Sequence, residues 1–195
     1  MRRKKKIDSK ILAGSVIAFL MITSIFGVLF YGFKTPVQEK TNEYNGHLIK
    51  YKNRGFVTEI GEQEIFFTTF PSELENIKID NNTKNLLKQD YFVVTYDPKS
   101  TLAEELAIAQ YKLFEERLKP LKKTVIRALT NSTSSALPQK TCADATEKNP
   151  VIYLEYGNET NITSKDNCVI AKGNSAAGIY QVSDRIAYVM AGVME

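Results

Sequence analysis

The chain has no tryptophan, one histidine and two cysteines in 195 residues. With His47 alone, neither a histidine-based zinc site nor a serine–histidine triad has a second imidazole to draw on. Cys142 and Cys168 are not in a Cys-x-x-Cys arrangement, which removes a thioredoxin-like redox role. No glycine-rich phosphate loop opens a helix, and there is no Gly-x-Ser-x-Gly elbow, His-Glu-x-x-His pair or calcium-loop pattern. The chain therefore reads as a non-enzyme, with no cofactor or metal expected. A further absence is of charge, because Ile11 to Phe33 contains no Asp, Glu, Lys or Arg.

An uncharged apolar run of ~20 residues is what a helix needs to cross a bilayer, at about 1.5 Å of rise per residue. Arg2, Arg3, Lys4, Lys5 and Lys6 precede the run, and no such cluster follows it. That asymmetry places residues 1–10 in the cytoplasm as a basic tail, residues 11–33 in the membrane, and the rest outside. A cleaved signal peptide has a shorter core of roughly 7–15 residues and a small-x-small exit. Here Tyr31 and Phe33 close the run instead, as in an interfacial aromatic belt. Gly14 and Ala18 stand at small-xxx-small spacing, which would let two such helices pair as a homodimer.

The whole chain carries +4, and residues 1–10 carry six Lys or Arg and one Asp, so the remainder is −1. A near-neutral exported part lacks the electrostatic footprint of a nucleic-acid binder. The basic tail sets topology and can touch anionic lipid headgroups. About 160 residues follow the anchor, enough for one domain with a real core.

Cys142 and Cys168 both fall on the exported side, where an even count reads as one structural disulfide. The alternatives are two buried thiols, or a metal pair for which the sequence supplies no further soft ligands. Asn81, Asn131, Asn158 and Asn161 each begin an Asn-x-Ser/Thr sequon, all beyond the anchor. They are candidate glycan acceptors, set against chance in asparagine-rich loops.

Residues 34–46 are polar and aperiodic and read as a tether. Residues 47–195 read as an exported α/β or α+β domain. Within it, residues 47–80 form a small antiparallel β-meander, with strands over 47–53, 55–60 and 63–70, a Gly61-Glu62 turn, and a last short strand at Ile77–Asp80. Residues 91–195 form a mixed sheet covered by two main helices. Strands are expected at Tyr91–Tyr96, Thr124–Leu129, Val151–Tyr156 and Cys168–Ala171, with the segment 158–167 as a connection. Thr101 to Glu104 has the capping-box pattern for a helix that Pro120 stops. The last helix, about Ser175 to Met194, carries a stripe of Ile179, Val182, Ile186, Val189 and Val193, with Gln181, Asp184 and Arg185 among its polar positions.

Asp97 follows an apolar strand and precedes a helix, the edge at which open α/β sheets bind ligands. It is the candidate ligand residue, with Glu155 and Arg127 as charged interruptions of nearby strands that could reach the same face. The plainer reading is an Asp-Pro turn, with Glu155 and Arg127 pointing to solvent or pairing with each other.

The segments Thr141-Cys142-Ala143-Asp144-Ala145-Thr146, Pro150-Val151-Ile152, Asn167-Cys168-Val169-Ile170, Ser183-Asp184-Arg185-Ile186-Ala187-Tyr188 and Gly192-Val193-Met194 form a loose pattern. It resembles the closing pattern of uncharacterised single-span exported membrane proteins of small-genome archaea. The resemblance implies paired cysteines outside the cell and sequons in use, and it transfers no catalytic residue. The combined expectation is a cell-surface or envelope domain that binds a protein partner, with a ligand- or peptide-binding sensor as the alternative and an envelope enzyme using Asp97 behind both.

Overall fold

A computed structural model describes residues 14–24, 40–53, 55–131 and 136–195. The chain divides into residues 1–38 and residues 39–195. In the first unit, residues 14–24 are helical (α1) and exposed throughout, Phe19 to 67 % and Met21 to 66 %. Among the described residues no helix is long and apolar enough to cross a membrane. The rest of the expected anchor (11–13 and 25–33), the basic tail and residues 34–39 of the tether lie outside the described residues.

The second unit begins with the antiparallel meander, β1 (Thr41–Tyr44), β2 (His47–Lys52), β3 (Gly55–Ile60) and β4 (Gln63–Phe67), in that spatial order. The β1–β2 turn is Asn45-Gly46, with φ of 49° and 78°. Two left-handed residues in succession are what a two-residue hairpin turn requires, so Asn-Gly is favoured there. β1 lies inside the stretch read as tether, and pairs Thr41 with Lys50 and Tyr44 with His47. β4 ends at Phe67, three residues before the expected limit, because the next two N–H groups are turned to a side chain of the last helix. The Pro71–Leu74 stretch is a short 3-10 turn. Ile77–Asp80 is not a strand: Ile77 and Ile79 are buried from irregular chain, and Asp80 caps α2 (Asn81–Leu87) by accepting from Thr83 N at 2.7 Å.

The second sheet contains β5 (Tyr91–Tyr96), β6 (Thr124–Arg127), β7 (Val151–Tyr156), β8 (Asn161–Lys165) and β9 (Cys168–Gly173), in the order β6-β5-β7-β9-β8. All pairs are parallel except the β8–β9 hairpin. β8 occupies the segment expected to be a connection. Only Ile162 among its five residues is buried, so the strand has almost no apolar alternation to betray it.

α3 (Ala103–Lys112) links β5 to β6 and continues as a π-helical turn, Leu113–Leu118. The expected capping box does not form. Leu102 occupies the cap position without a side-chain bond, and Asp97 has already started the turn by accepting from Lys99 N at 2.9 Å. α4 (Ala176–Met190) closes the fold, its first turn pressed onto β9. A Cβ on Gly173 would lie 2.3 Å from Ile179 N, closer than any side chain permits.

One face of this sheet (Phe92, Val94, Ile152, Leu154, Val169, Ala171) shares a core with Leu106 of α3 and Val182 of α4. The other face sets Val93, Val151 and Cys168 under the β6–β7 connection, around Ala128 and Cys142. The expected stripe is largely core, with Ile179, Val182 and Ile186 of α4 buried; the helix stops at Met190, short of the expected Met194, and Val193 is buried from the irregular segment beyond it. Asp184 and Arg185, expected at polar positions, are buried as well, at 0 % and 5 % exposure. α4 packs against β9, α3, the π-helical turn, the 3-10 turn and α2, so it has no wide solvent face on which to place them.

Candidate functional site

From β5 the chain crosses to β6 on one side, and later adds β7 on the other. The carboxyl ends of β5 and β7 therefore flank a topological switch point, where loops diverge and leave a crevice. Asp97 and Glu155 meet there, lining one cleft with Ser100, Tyr153 and Tyr156. Burial pushes the Tyr153 hydroxyl up, and the charges of Glu155 and Asp97 add to the shift.

Size and prior commitments restrict what this cleft can do. Its volume is about 130 Å³. Ligand pockets run from roughly 300 to 1,000 Å³, and at ~30 Å³ each this space holds only a few waters. Asp97 Oδ1 already accepts from Lys99 N, and Glu155 Oε2 lies 3.4 Å from Lys172 Nζ. Arg127 does not join them. It aligns with Val94 on the helix-covered face, its guanidinium 6.0 Å from the Tyr111 ring and 5.4 Å from Phe114, whereas Glu155 shares the parity of Val151 and Tyr153 on the opposite face. The Glu155–Arg127 pairing is thus replaced by Glu155–Lys172.

The disulfide joins Cys142, in a 3-10 turn over residues 142–144, to Cys168 at the start of β9. It pins the long β6–β7 connection onto the sheet. A capping box does form here, with Thr141 and Asp144 exchanging bonds, the Thr141 N–H donating to Asp144 Oδ2 at 2.8 Å. His47 sits at the first position of β2, paired with Tyr44. Asn158 is exposed in the β7–β8 turn, and Asn81 is exposed at the start of α2 while its sequon threonine, Thr83, is fully buried. Asn161 is half-buried and donates to Glu159 Oε1 at 2.6 Å. Asn131 is half-buried, and the two residues completing its sequon lie outside the described residues.

The strongest polar cluster was not singled out from the sequence. Arg117, from the π-helical turn, and Asp184, from α4, form an ion pair with both side chains fully buried. Asp184 Oδ2 accepts from Thr68 N at 2.9 Å and Thr69 N at 2.8 Å, just past β4. Tyr188 stacks on Phe67 at 3.7 Å and donates its hydroxyl to the Thr69 carbonyl at 3.0 Å. Burial pushes the Asp184 carboxyl up, against the opposing pull of Arg117 and the two N–H donors. The cluster locks the meander to α4 and lines none of the clefts described here; it is a joint. Its one signal in the sequence was a charged pair, Asp184-Arg185, set within an apolar helix.

Further surfaces stand out among the described residues. Around the edge strand β6, Tyr91 (57 %), Ile126 (52 %) and, on α3, Tyr111 (52 %) are exposed. Beside the C-terminal segment lie a polar cavity of about 620 Å³, lined in part by Tyr44, Lys78 and Arg185, and a groove of about 350 Å³ between α2 and the end of α4. No protein-family model, curated protein or solved structure matches the chain.

Proposed function

We propose that the chain is a single-pass, membrane-anchored extracytoplasmic domain that acts by binding an envelope protein rather than by catalysis. Residues 11–33 anchor it, the tail 1–10 stays cytoplasmic, and the folded unit is displayed outside. The uncharged run and its basic flank support the anchor, and the disulfide accords with an oxidising compartment. The Gly14–Ala18 spacing supports pairing of two anchors, and the exposed sequon at Asn158 suits a surface glycoprotein.

The observation that carries the interaction reading is the open edge of β6. Among the described residues its outer edge over Thr124–Arg127 pairs with no strand, the chain beyond it being bridged at Leu129 to Gln139, and exposed Tyr91, Ile126 and Tyr111 surround it. An unpaired strand edge flanked by apolar side chains is a template for another chain. The test is photocrosslinking in intact membranes from a probe at Ile126, with one at Glu62 in the β3–β4 turn as control. A discrete adduct from position 126 alone supports the reading; no adduct, or the same products from both positions, overturns it.

A second reading, a small polar ligand between Asp97 and Glu155, is favoured by their convergence at the switch point. Asp97→Ala that leaves the folded domain's ligand and metal binding unchanged would remove it.

A further inference from the structure

The groove between α2 and α4 is amphipathic. Leu87, Met190 and Met194 form its floor, and Lys84, Lys88 and Lys123 stand along its rim, with Glu195 the one acid lining it. The lysines differ in their commitments. Lys123 Nζ is held by Gln89 O and Asp90 Oδ1, both at 2.8 Å, and Lys88 Nζ reaches Asn85 Oδ1 at 3.1 Å. Lys84 makes no ion pair among the described residues. The neighbouring cavity, which shares Met194 and Glu195 with the groove, adds Lys78 and Arg185 and one further acid, Glu75. Arg185 is 5 % exposed, and its Nη1 has no hydrogen-bond partner among the described residues while Nε donates to Ile77 O and Nη2 to Glu195 O.

Cations beside an apolar floor match one ligand chemistry, an acyl chain that carries a phosphate or carboxylate. Methionine suits such a floor, because its unbranched, polarizable side chain adapts to a flexible chain.

We infer that the α2–α4 groove binds anionic lipid, the acyl chain on Leu87, Met190 and Met194 and the headgroup held by Lys84 and Lys88. The inference rests on the anchored reading only for its supply of ligand, since an anchored domain stays within reach of a leaflet. Lipid held this way would fix how the domain stands over the membrane.

Both sheets and the described core lie within residues 39–195, so that unit is tested alone, free of the anchor. Purified domain is sedimented with phosphatidylcholine vesicles, with or without phosphatidylglycerol. It should bind only the anionic vesicles. Lys84→Glu with Lys88→Glu should weaken binding by ~30-fold or more, at about fivefold per lysine near an anionic surface. Met190→Gln should weaken it several-fold with the lysines intact, and circular dichroism confirms that each variant is folded. Equal binding to neutral vesicles, no binding to either, or full binding by the double-lysine variant overturns the inference. So does complete displacement by free glycerol phosphate, which would make this a phosphate site, or normal binding by Met190→Gln, which would leave only surface adsorption. Alkaline carbonate extraction of the full chain tests the anchor separately, so either reading can fail without the other.

Discussion

In the four-stranded sheet every strand pairs with its neighbour in sequence, whereas in the five-stranded sheet only β8 and β9 are joined by a tight turn. The first sheet is assembled from local hairpins, and its register is set at the turns, where Asn45-Gly46 and Gly61 supply positive φ. The second brings β5 beside β7 and β7 beside β9 across long connections, and it depends on a disulfide and a central helix to hold them. The lesson lies where the two meet. The two sheets share one apolar core, in which Phe67 stacks on Tyr188, and the polar part of the link is made by Arg117 and Asp184, with Thr68 and Thr69 at the end of the meander.

The largest expected effect breaks that link. Arg117→Met leaves the Asp184 carboxylate buried without its cation and should cost about 3–5 kcal/mol of unfolding free energy, measured by urea denaturation. Adding Asp184→Asn removes the stranded charge while keeping an oxygen for Thr68 and Thr69, so it should restore part of the loss. If Arg117→Met is neutral, the joint lies elsewhere.

A smaller loss should follow removal of the staple specific to the five-stranded sheet. Cys142→Ala with Cys168→Ala should cost about 3 kcal/mol in the chain-entropy description of cross-links. Hydrogen exchange sharpens the comparison: protection should fall first in the β6–β7 connection and β9, and last in β2 and β3.

The smallest effect belongs to the local sheet. Gly46→Ala forces a Cβ onto a residue at φ 78° and should cost about 1 kcal/mol, detected as a modest drop in melting temperature. The loss should be confined to the β1–β2 hairpin, because nothing lies within 4 Å of the added Cβ. A cost rivalling that of Arg117→Met would show that the meander, too, is held by tertiary contacts at its turns.

Legibility in the sequence followed the same division. The strands at His47–Lys52, Gly55–Ile60, Tyr91–Tyr96 and Val151–Tyr156 stand within a residue of where their apolar runs placed them. β1 escaped because its four residues, TNEY, contain no aliphatic side chain, although the Asn45-Gly46 turn announced it. β8 escaped because a strand at the sheet's edge needs to bury only Ile162. At the candidate site, Asp97 and Glu155 were both visible as acids at strand ends, and the fold brings them together. Arg127 was assigned to the same place, but strand parity sends it to the opposite face, where two aromatic rings receive it. Arg117 gave no sign at all, because a lone arginine late in an amphipathic helix reads as solvated surface.

What the amino-acid sequence determined by itself was whatever acts over a few residues or through composition. That includes the uncharged run from Ile11 to Phe33, the two-residue turns, the strand-forming runs and the even pair of cysteines. Only the tertiary structure decided strand order, the burial of Asp184 and Arg117, the meeting of Asp97 with Glu155, and the lysine-rimmed groove over Met190. The reason is physical. Backbone sterics and side-chain periodicity are local, so they can be read from neighbours. Burial of apolar surface is non-directional, so a periodic stripe states that a face will be covered without stating by what.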